Sequence, residues 1–174
     1  SELVRIAASL DAMGDRGELI RAGTDWGVIE DNRRQMIKEC PDVYFEITPT
    51  VSIMNVYHLP DFHKEWIDKG LLEPQNVRMN ILTYPTEYRI QIIPPTERKK
   101  FIDKYTEHIK WIDDNFGDGA AKRGFESVLD FLQQENYENL VPDFIDRNTP
   151  LDKLRGESLY QVAPELEFFR DYEY

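Results

Sequence analysis

Polar side chains collect at the carboxyl ends of the strand-like segments of this sequence. Segment 3–11 (LVRIAASLD), segment 43–53 (VYFEITPTVSI) and segment 76–82 (NVRMNIL) each alternate apolar and mostly polar residues at strand period. Ligands of βα folds bind at the C-terminal ends of the strands. By that rule the residues best placed to hydrogen-bond a small polar ligand are Ser9, Asp11, Thr50, Ser52, Asn55, Asn80 and Thr83.

Three charged residues lie further inside the same segments. If the strands are adjacent and parallel, Glu46 lies between strands that carry Arg5 and Arg78. A buried carboxylate needs paired cations, so the pattern favours a structural ion network over direct ligand contact. A hydrolase or isomerase that uses Glu46 or Asp11 as its base is a weaker hypothesis, because no partner set for such a base is identifiable.

Two other groups of reactive side chains have simpler structural interpretations. His58 and His63 flank Asp61, but residues five apart do not share a helix face, so helix capping by Asp61 is favoured over a metal site. His108 is predicted to be a packed or surface residue of an amphipathic helix. Cys40 is predicted to be a small buried apolar residue, since no base that would activate its thiol is identifiable.

Composition narrows the classes of protein that this chain can belong to. The net charge of −12 argues against nucleic-acid binding, and no apolar run approaches the roughly 20 residues of a membrane span. The single cysteine cannot form an internal disulfide, which favours a reducing, cytoplasmic setting. One cysteine also excludes a multi-cysteine metal or cluster site made by these residues alone.

Helical patterns that flank the second strand predict parallel βα units. Trp26–Glu39 precedes the strand and Pro60–Lys69 follows it, whereas a long loop is expected from the end of the first strand to about Thr24. The polar second face of each strand favours helices on one side only, as in an open or partial barrel. Two further helices are predicted over 96–115 and 120–134, followed after Tyr137 by short segments broken by prolines.

Two segments resemble the radical S-adenosylmethionine (radical SAM) superfamily. They are SLDAMGDRGELIRAGTDW (Ser9–Trp26) and CPDVYFEITPTVSIMNVYHLPDFHKEWIDKGLL (Cys40–Leu72). The similarity is to the later half of the partial TIM-type barrel in members that carry a short twitch or SPASM-like auxiliary domain, and it covers about 4–95. It implies an α/β fold: a partial (β/α) barrel fragment of about three parallel βα units with additional C-terminal helices. The implied domains are a half barrel over 1–116 and a helical extension over 117–174.

The resemblance also implies a site for S-adenosylmethionine. Ser9 and Asp11 would lie near its methionyl and ribose groups, and either Arg16 or Arg21 would pair with its carboxylate. The ribose and adenine would be bordered by residues of the next two strands. The implied cofactor-binding residues are Ser9, Asp11, Arg16, Arg21, Thr50, Asn55, Asn80 and Leu82.

The sequence departs from this family in the residues that would hold its iron–sulfur cluster. The C-x-x-x-C-x-x-C loop is absent, and so are the auxiliary cysteines. Since thiolates hold such clusters, the chain is expected to be inactive alone: the C-terminal half of a longer enzyme, or a fragment that survives as a scaffold. Expected partners are the missing N-terminal half or a second copy paired through open strand edges, with a small molecule or peptide as substrate.

A second hypothesis belongs to a different class of protein. The same polar strand ends are compatible with a non-catalytic βα scaffold or interaction module that binds a small metabolite or a partner segment. The two hypotheses differ in whether the parent reading frame is expected to continue upstream into a C-x-x-x-C-x-x-C loop.

Overall fold

The computed structural model describes residues 4–172, which are mainly helical: 60% of the chain is helix and 8% is strand. The α-helices in this range are Gly14–Ile20 (α1), Trp26–Glu39 (α2), Leu59–Asp68 (α3), Pro95–Phe116 (α4), Ala120–Gln133 (α5), Val141–Arg155 (α6) and Leu159–Val162 (α7). The strands are Arg5–Ala8 (β1), Tyr44–Ile47 (β2), Thr50–Val51 (β3) and Asn80–Ile81 (β4).

The strands form two small parallel pairs. β1 pairs with β2 in the register Arg5 to Tyr44, and β3 pairs with β4 in the register Thr50 to Asn80. One further parallel bridge joins Ile47 to Val77. The predicted partial barrel fragment of three parallel βα units is therefore wrong, since the described residues form two two-stranded sheets within a mainly helical chain.

Local backbone chemistry explains why the expected strands are shorter. The predicted strand 43–53 divides at Pro49, which has no N–H to donate to a neighbouring strand. Beyond β3 the chain turns at once, because the N–H groups of Asn55 and Val56 both bond the carbonyl of Ser52. The predicted first strand began at Leu3, outside the described residues, and regular pairing ends at Ala8.

The predicted alternation is confirmed by burial over Tyr44–Ile47 but not beyond, since Thr48 and Ser52 of the predicted polar face are buried. Phe45, Ile47 and Val51 are buried, whereas Glu46 is partly exposed and Thr50 is exposed. Apolar side chains drive this packing because their transfer out of water contributes about 25 cal/mol per Å². β2 therefore has one buried face and one partly exposed face, whereas β1 has no buried residue.

Four helices match their predicted segments, and two regions differ. The patterns over Trp26–Glu39, 60–69, 96–115 and 120–134 correspond to α2, α3, α4 and α5. The predicted loop after the first strand is wrong, since α1 forms there. The predicted break at Pro150 is also wrong, since α6 continues through it to Arg155 and is followed by Gly156, whose φ of 64° suits glycine. Beyond Gly156 the segments are short, as predicted: α7 and a 3-10 helix that begins at Pro164.

Buried contacts of α4 hold the polar strand ends in place. Tyr105 of α4 donates from its hydroxyl to the carbonyl of Val56 at 2.6 Å, and burial raises the pKa of this hydroxyl well above 10. Arg98 of the same helix is buried, and its guanidinium donates to five backbone carbonyls at the start of α4 and the end of α5. The loop after β3 is thereby fixed against the helical layer.

Candidate functional site

Asp11 links the segment after β1 to the first residue of β3. Its Oδ1 accepts the backbone N–H of Thr50 at 2.8 Å, and its Oδ2 accepts Nε of Arg21 at 2.8 Å. The residue is only 7% exposed, although the Arg21 side chain reaches solvent. Asp11 therefore joins the two parallel pairs and carries one cation at its outer edge.

Asn55 hydrogen-bonds the same two segments. Its amide nitrogen donates to the carbonyls of Asp11 at 2.8 Å and Thr50 at 3.0 Å, and its amide oxygen accepts the N–H of Ser52 at 2.8 Å. Both donor hydrogens of this buried amide are used. Asn55 therefore positions the site, and it has no free donor with which to contact a ligand.

The two candidate arginines have different environments. Arg16 is buried and bonds both carboxylate oxygens of Glu165, at 2.6 and 2.9 Å, and the carbonyl of Val162. Arg21 uses only Nε, and its two Nη atoms have no hydrogen-bond partner among residues 4–172. Of the two, Arg21 is the guanidinium that remains available to an anion.

The other predicted site residues lie on or near the strands. Ser9 and Asn80 are exposed, and their side chains make no hydrogen bond within the described part of the chain. Leu82 is partly buried at the end of β4. Four of the eight predicted residues, Asp11, Arg21, Thr50 and Asn55, are thus joined by direct contacts.

A cavity of about 270 Å³ lies beside this cluster, between the strand ends and α6. Its polar and charged lining residues are Asp11, Thr50, Ser52, Tyr88, Asn148, Asp152 and Arg155. Its apolar lining residues are Leu19, Ile20, Met54, Leu82 and Leu151. Small-molecule sites combine apolar walls with convergent polar groups, and this cavity has both, with more polar and charged than apolar lining residues.

Sequence reasoning missed the α6 side of this cavity. Asn148, Leu151, Asp152 and Arg155 follow the spacing i, i+3, i+4, i+7, which defines one face of a helix. That spacing was visible in the sequence, but Pro150 was taken to interrupt the helix. A further lining residue, Tyr88, keeps its hydroxyl proton because burial raises the pKa of this group above 10.

A second hollow, of about 500 Å³, is a weaker candidate. It lies between α1, α2, α3 and α7, and most of its charged side chains already have partners: Lys69 bonds Glu30 at 3.0 Å and Glu65 at 2.7 Å, and Arg16 bonds Glu165. His58 in its wall accepts the N–H of Met13 at 3.0 Å, and burial lowers the pKa of this imidazole to about 4. These groups are satisfied within the protein.

Two predictions about charged and sulfur-containing side chains need correction. Glu46 pairs with Arg78 at 3.0 Å, but Arg5 lies over the ring of Tyr44, 4.7 Å from its centroid, so the expected three-residue network does not form. Cys40 is exposed rather than buried, because it follows the last turn of α2.

The remaining two histidines form a buried pair away from the cavity. Nδ1 of His63 lies 2.9 Å from Nε2 of His108, and Nε2 of His63 lies 2.8 Å from the carbonyl of Pro74. Because a carbonyl only accepts, His63 carries its proton on Nε2. Its Nδ1 therefore accepts a hydrogen bond from Nε2–H of His108. Burial lowers the pKa values of these imidazoles to about 4 and about 3.

In comparisons with known proteins, no protein-family model, curated protein or solved structure matches this chain. Within residues 4–172, no three His, Cys, Asp or Glu side chains are grouped closely enough to hold a metal ion. In the same range, no helix has both the length and the apolar character that crossing a membrane requires.

Proposed function

We propose that this chain supplies part of the S-adenosylmethionine-binding and substrate-binding cavity of a radical SAM enzyme and is inactive alone. The observation that carries the proposal is the contact between Asp11, Arg21, Thr50 and Asn55, residues far apart in sequence that the family resemblance had named. They meet beside a cavity at the strand ends. A ligand site at this position agrees with the general placement of ligands in βα units.

The donor set of the cluster fits the polar groups of this cofactor. Arg21 offers free Nη donors to a carboxylate, a pairing that suits the planar guanidinium. Asp11 retains lone pairs that can accept from ribose hydroxyls, since a carboxylate has about four acceptor positions. Asn55 bonds the backbone carbonyls of Asp11 and Thr50 and so holds these two residues in place. Arg16 is not part of the proposed site, because Glu165 and Val162 occupy its donors.

The cluster of such an enzyme needs ligands that these 174 residues do not contain. S-adenosylmethionine supplies radical chemistry only when a reducing iron–sulfur cluster lies beside it, and clusters of this type are held by several thiolates. This sequence has one cysteine, Cys40, which is exposed. In the proposal, the cluster therefore belongs to a different stretch of polypeptide, and a cytoplasmic setting keeps the unpaired thiol reduced.

Titration calorimetry with S-adenosylmethionine tests the proposal. We expect the wild-type chain to bind, and Arg21→Ala to weaken binding about tenfold or more, because a charged hydrogen bond contributes about 1.5–3 kcal/mol. Ser9→Ala is expected to have a smaller effect in the same direction. Arg123→Ala is the matched control, since Arg123 is exposed and lies away from the cavity. Equal affinity of wild type and Arg21→Ala would contradict the proposed site.

A second candidate function is a non-catalytic module that binds a small metabolite. The observation that favours it is the cavity itself, whose volume of about 270 Å³ is just below the usual lower limit of about 300 Å³ for ligand sites. A cavity of this size holds one ring system or one end of a larger molecule. Binding of a small metabolite without any binding of S-adenosylmethionine would favour this function.

The proposed partner is another polypeptide that pairs with an open strand edge. Among the described residues, β1 and β4 each pair with a strand on one side only, and unpaired edges promote association. We expect light scattering after size exclusion to give a dimer mass that falls toward the monomer on dilution. A monomer mass at every concentration would argue against self-association and leave the separate N-terminal half as the proposed partner.

A further inference from the structure

Of the buried polar residues in the wall of the cavity, Asn148 is the one whose side chain makes no hydrogen bond within residues 4–172. It is 6% exposed. The amide atoms keep some access to solvent, so its donor and its acceptor can both reach a molecule in the cavity. The residue lies in the middle of α6 and faces the strand ends across the cavity.

The amide of Asn148 presents a donor and an acceptor side by side. Such a pair matches the edge of a nucleobase, as in the two-bond contact of asparagine with N6 and N7 of adenine. The aliphatic residues around it, among them Leu19, Met54 and Leu151, offer flat apolar contact. Pockets that hold an unstacked base combine these two features, with hydrogen bonds to one edge and apolar packing on the faces.

The charges at the rim limit what else the ligand carries. Asp152 already accepts the N–H of Leu159 at 2.8 Å, and Arg155 contacts the carbonyl of Leu19 at 3.4 Å. Two acids, Asp11 and Asp152, and one base, Arg155, do not form the cationic cluster that several phosphates need, and the chain has a net charge of −12. The rim therefore suits a nucleoside-like ligand rather than a polynucleotide.

We propose that the cavity between the strand ends and α6 binds a nucleobase, and that Asn148 determines specificity by bonding the edge of that base. The base has two sources: the adenine of S-adenosylmethionine, in which case the inference rests on the proposed function, or a separate nucleoside substrate. Both sources present the same ring chemistry to Asn148, and the binding experiment separates them.

The experiment measures binding of adenosine and of S-adenosylmethionine by calorimetry. Wild type is compared with Asn148→Leu, which keeps the branched shape of the side chain, and with Asn148→Ala. Asn139→Ala is the matched control, because Asn139 is exposed and outside the cavity. We expect both Asn148 variants to lose about tenfold or more in adenosine affinity, and the control to lose none. Since the amide has no partner in the protein, we expect the melting temperature of Asn148→Leu to be no lower than that of wild type.

The second ligand identifies the source of the base. Loss of affinity for both ligands assigns the base to S-adenosylmethionine, and loss for adenosine alone assigns it to a separate substrate. Absence of adenosine binding, or equal affinity of wild type and Asn148→Leu, overturns the inference while leaving an Arg21-dependent cofactor site intact. Adenosine binding that depends on Asn148, without any binding of S-adenosylmethionine, overturns the proposed function and supports the inference.

Discussion

Replacing Arg16 with Met is expected to lower the free energy of unfolding by about 3–5 kcal/mol. The side chains of Arg16 and Glu165 are 7% and 8% exposed, and they share two hydrogen bonds. Removal of the guanidinium leaves the carboxylate buried without a counter-charge and also removes the donors to Val162. Because this contact joins α1 to the C-terminal segment, chemical denaturation followed by tryptophan fluorescence reports the loss.

A second variant separates the cost of the unpaired charge from the net value of the pair. Arg16→Met combined with Glu165→Leu replaces both charges by apolar groups of similar volume, and such replacements are often neutral or stabilising. We expect the double variant to recover most of the stability that Arg16→Met loses. A loss below about 1 kcal/mol in Arg16→Met would be the value of an exposed pair and would contradict the buried arrangement.

Acidification from about pH 6.5 to about pH 4 is expected to destabilise the protein by roughly 3 kcal/mol through His63 alone. In the unfolded chain the imidazole takes up a proton as the pH falls through 6.5, whereas in the folded chain burial keeps it neutral down to about pH 4. The unfolded state therefore binds more protons in this window, and the free energy of unfolding falls with pH. His108 adds to the loss in the same direction.

Comparison with His108→Gln isolates the contribution of His108, because His63 titrates in both proteins. Glutamine can still donate to Nδ1 of His63, but it does not titrate. The carboxylates titrate equally in both proteins, so their contribution cancels when the two pH profiles of unfolding free energy are subtracted. We expect a smaller loss on acidification in the variant, and identical profiles would show that His108 is not held neutral in the folded state.

Local sequence patterns predicted most of the helices and the amphipathic strands, but they did not predict the fold. Helix periods over Trp26–Glu39 and 96–115 are long and regular, and burial follows the expected alternation over Tyr44–Ile47. The partial-barrel prediction was wrong because alternation alone does not show where strand pairing ends. Pro49 divides one predicted strand, and α6 continues past Pro150, where the prolines had indicated short segments.

The candidate site was predicted in part from the sequence. Some of its residues could be selected by local criteria, and others could not. Residue type and strand-end position were enough to select Asp11, Thr50 and Asn55, which the structure joins by hydrogen bonds. The same criteria, together with the family resemblance, could not separate Arg16 from Arg21. That difference depends on Glu165, which lies 149 positions away from Arg16 in the chain.

The sequence by itself determined the polar ends of the strands, the apolar faces of the helices and the lack of cysteine ligands for a cluster, because each of these is a property of residue type and local spacing. Only the tertiary structure decided which arginine is free, that α6 closes the cavity, and that Asn148 faces it without a partner. Long-range packing sets those features, and local periodicity carries no information about which distant segments will meet.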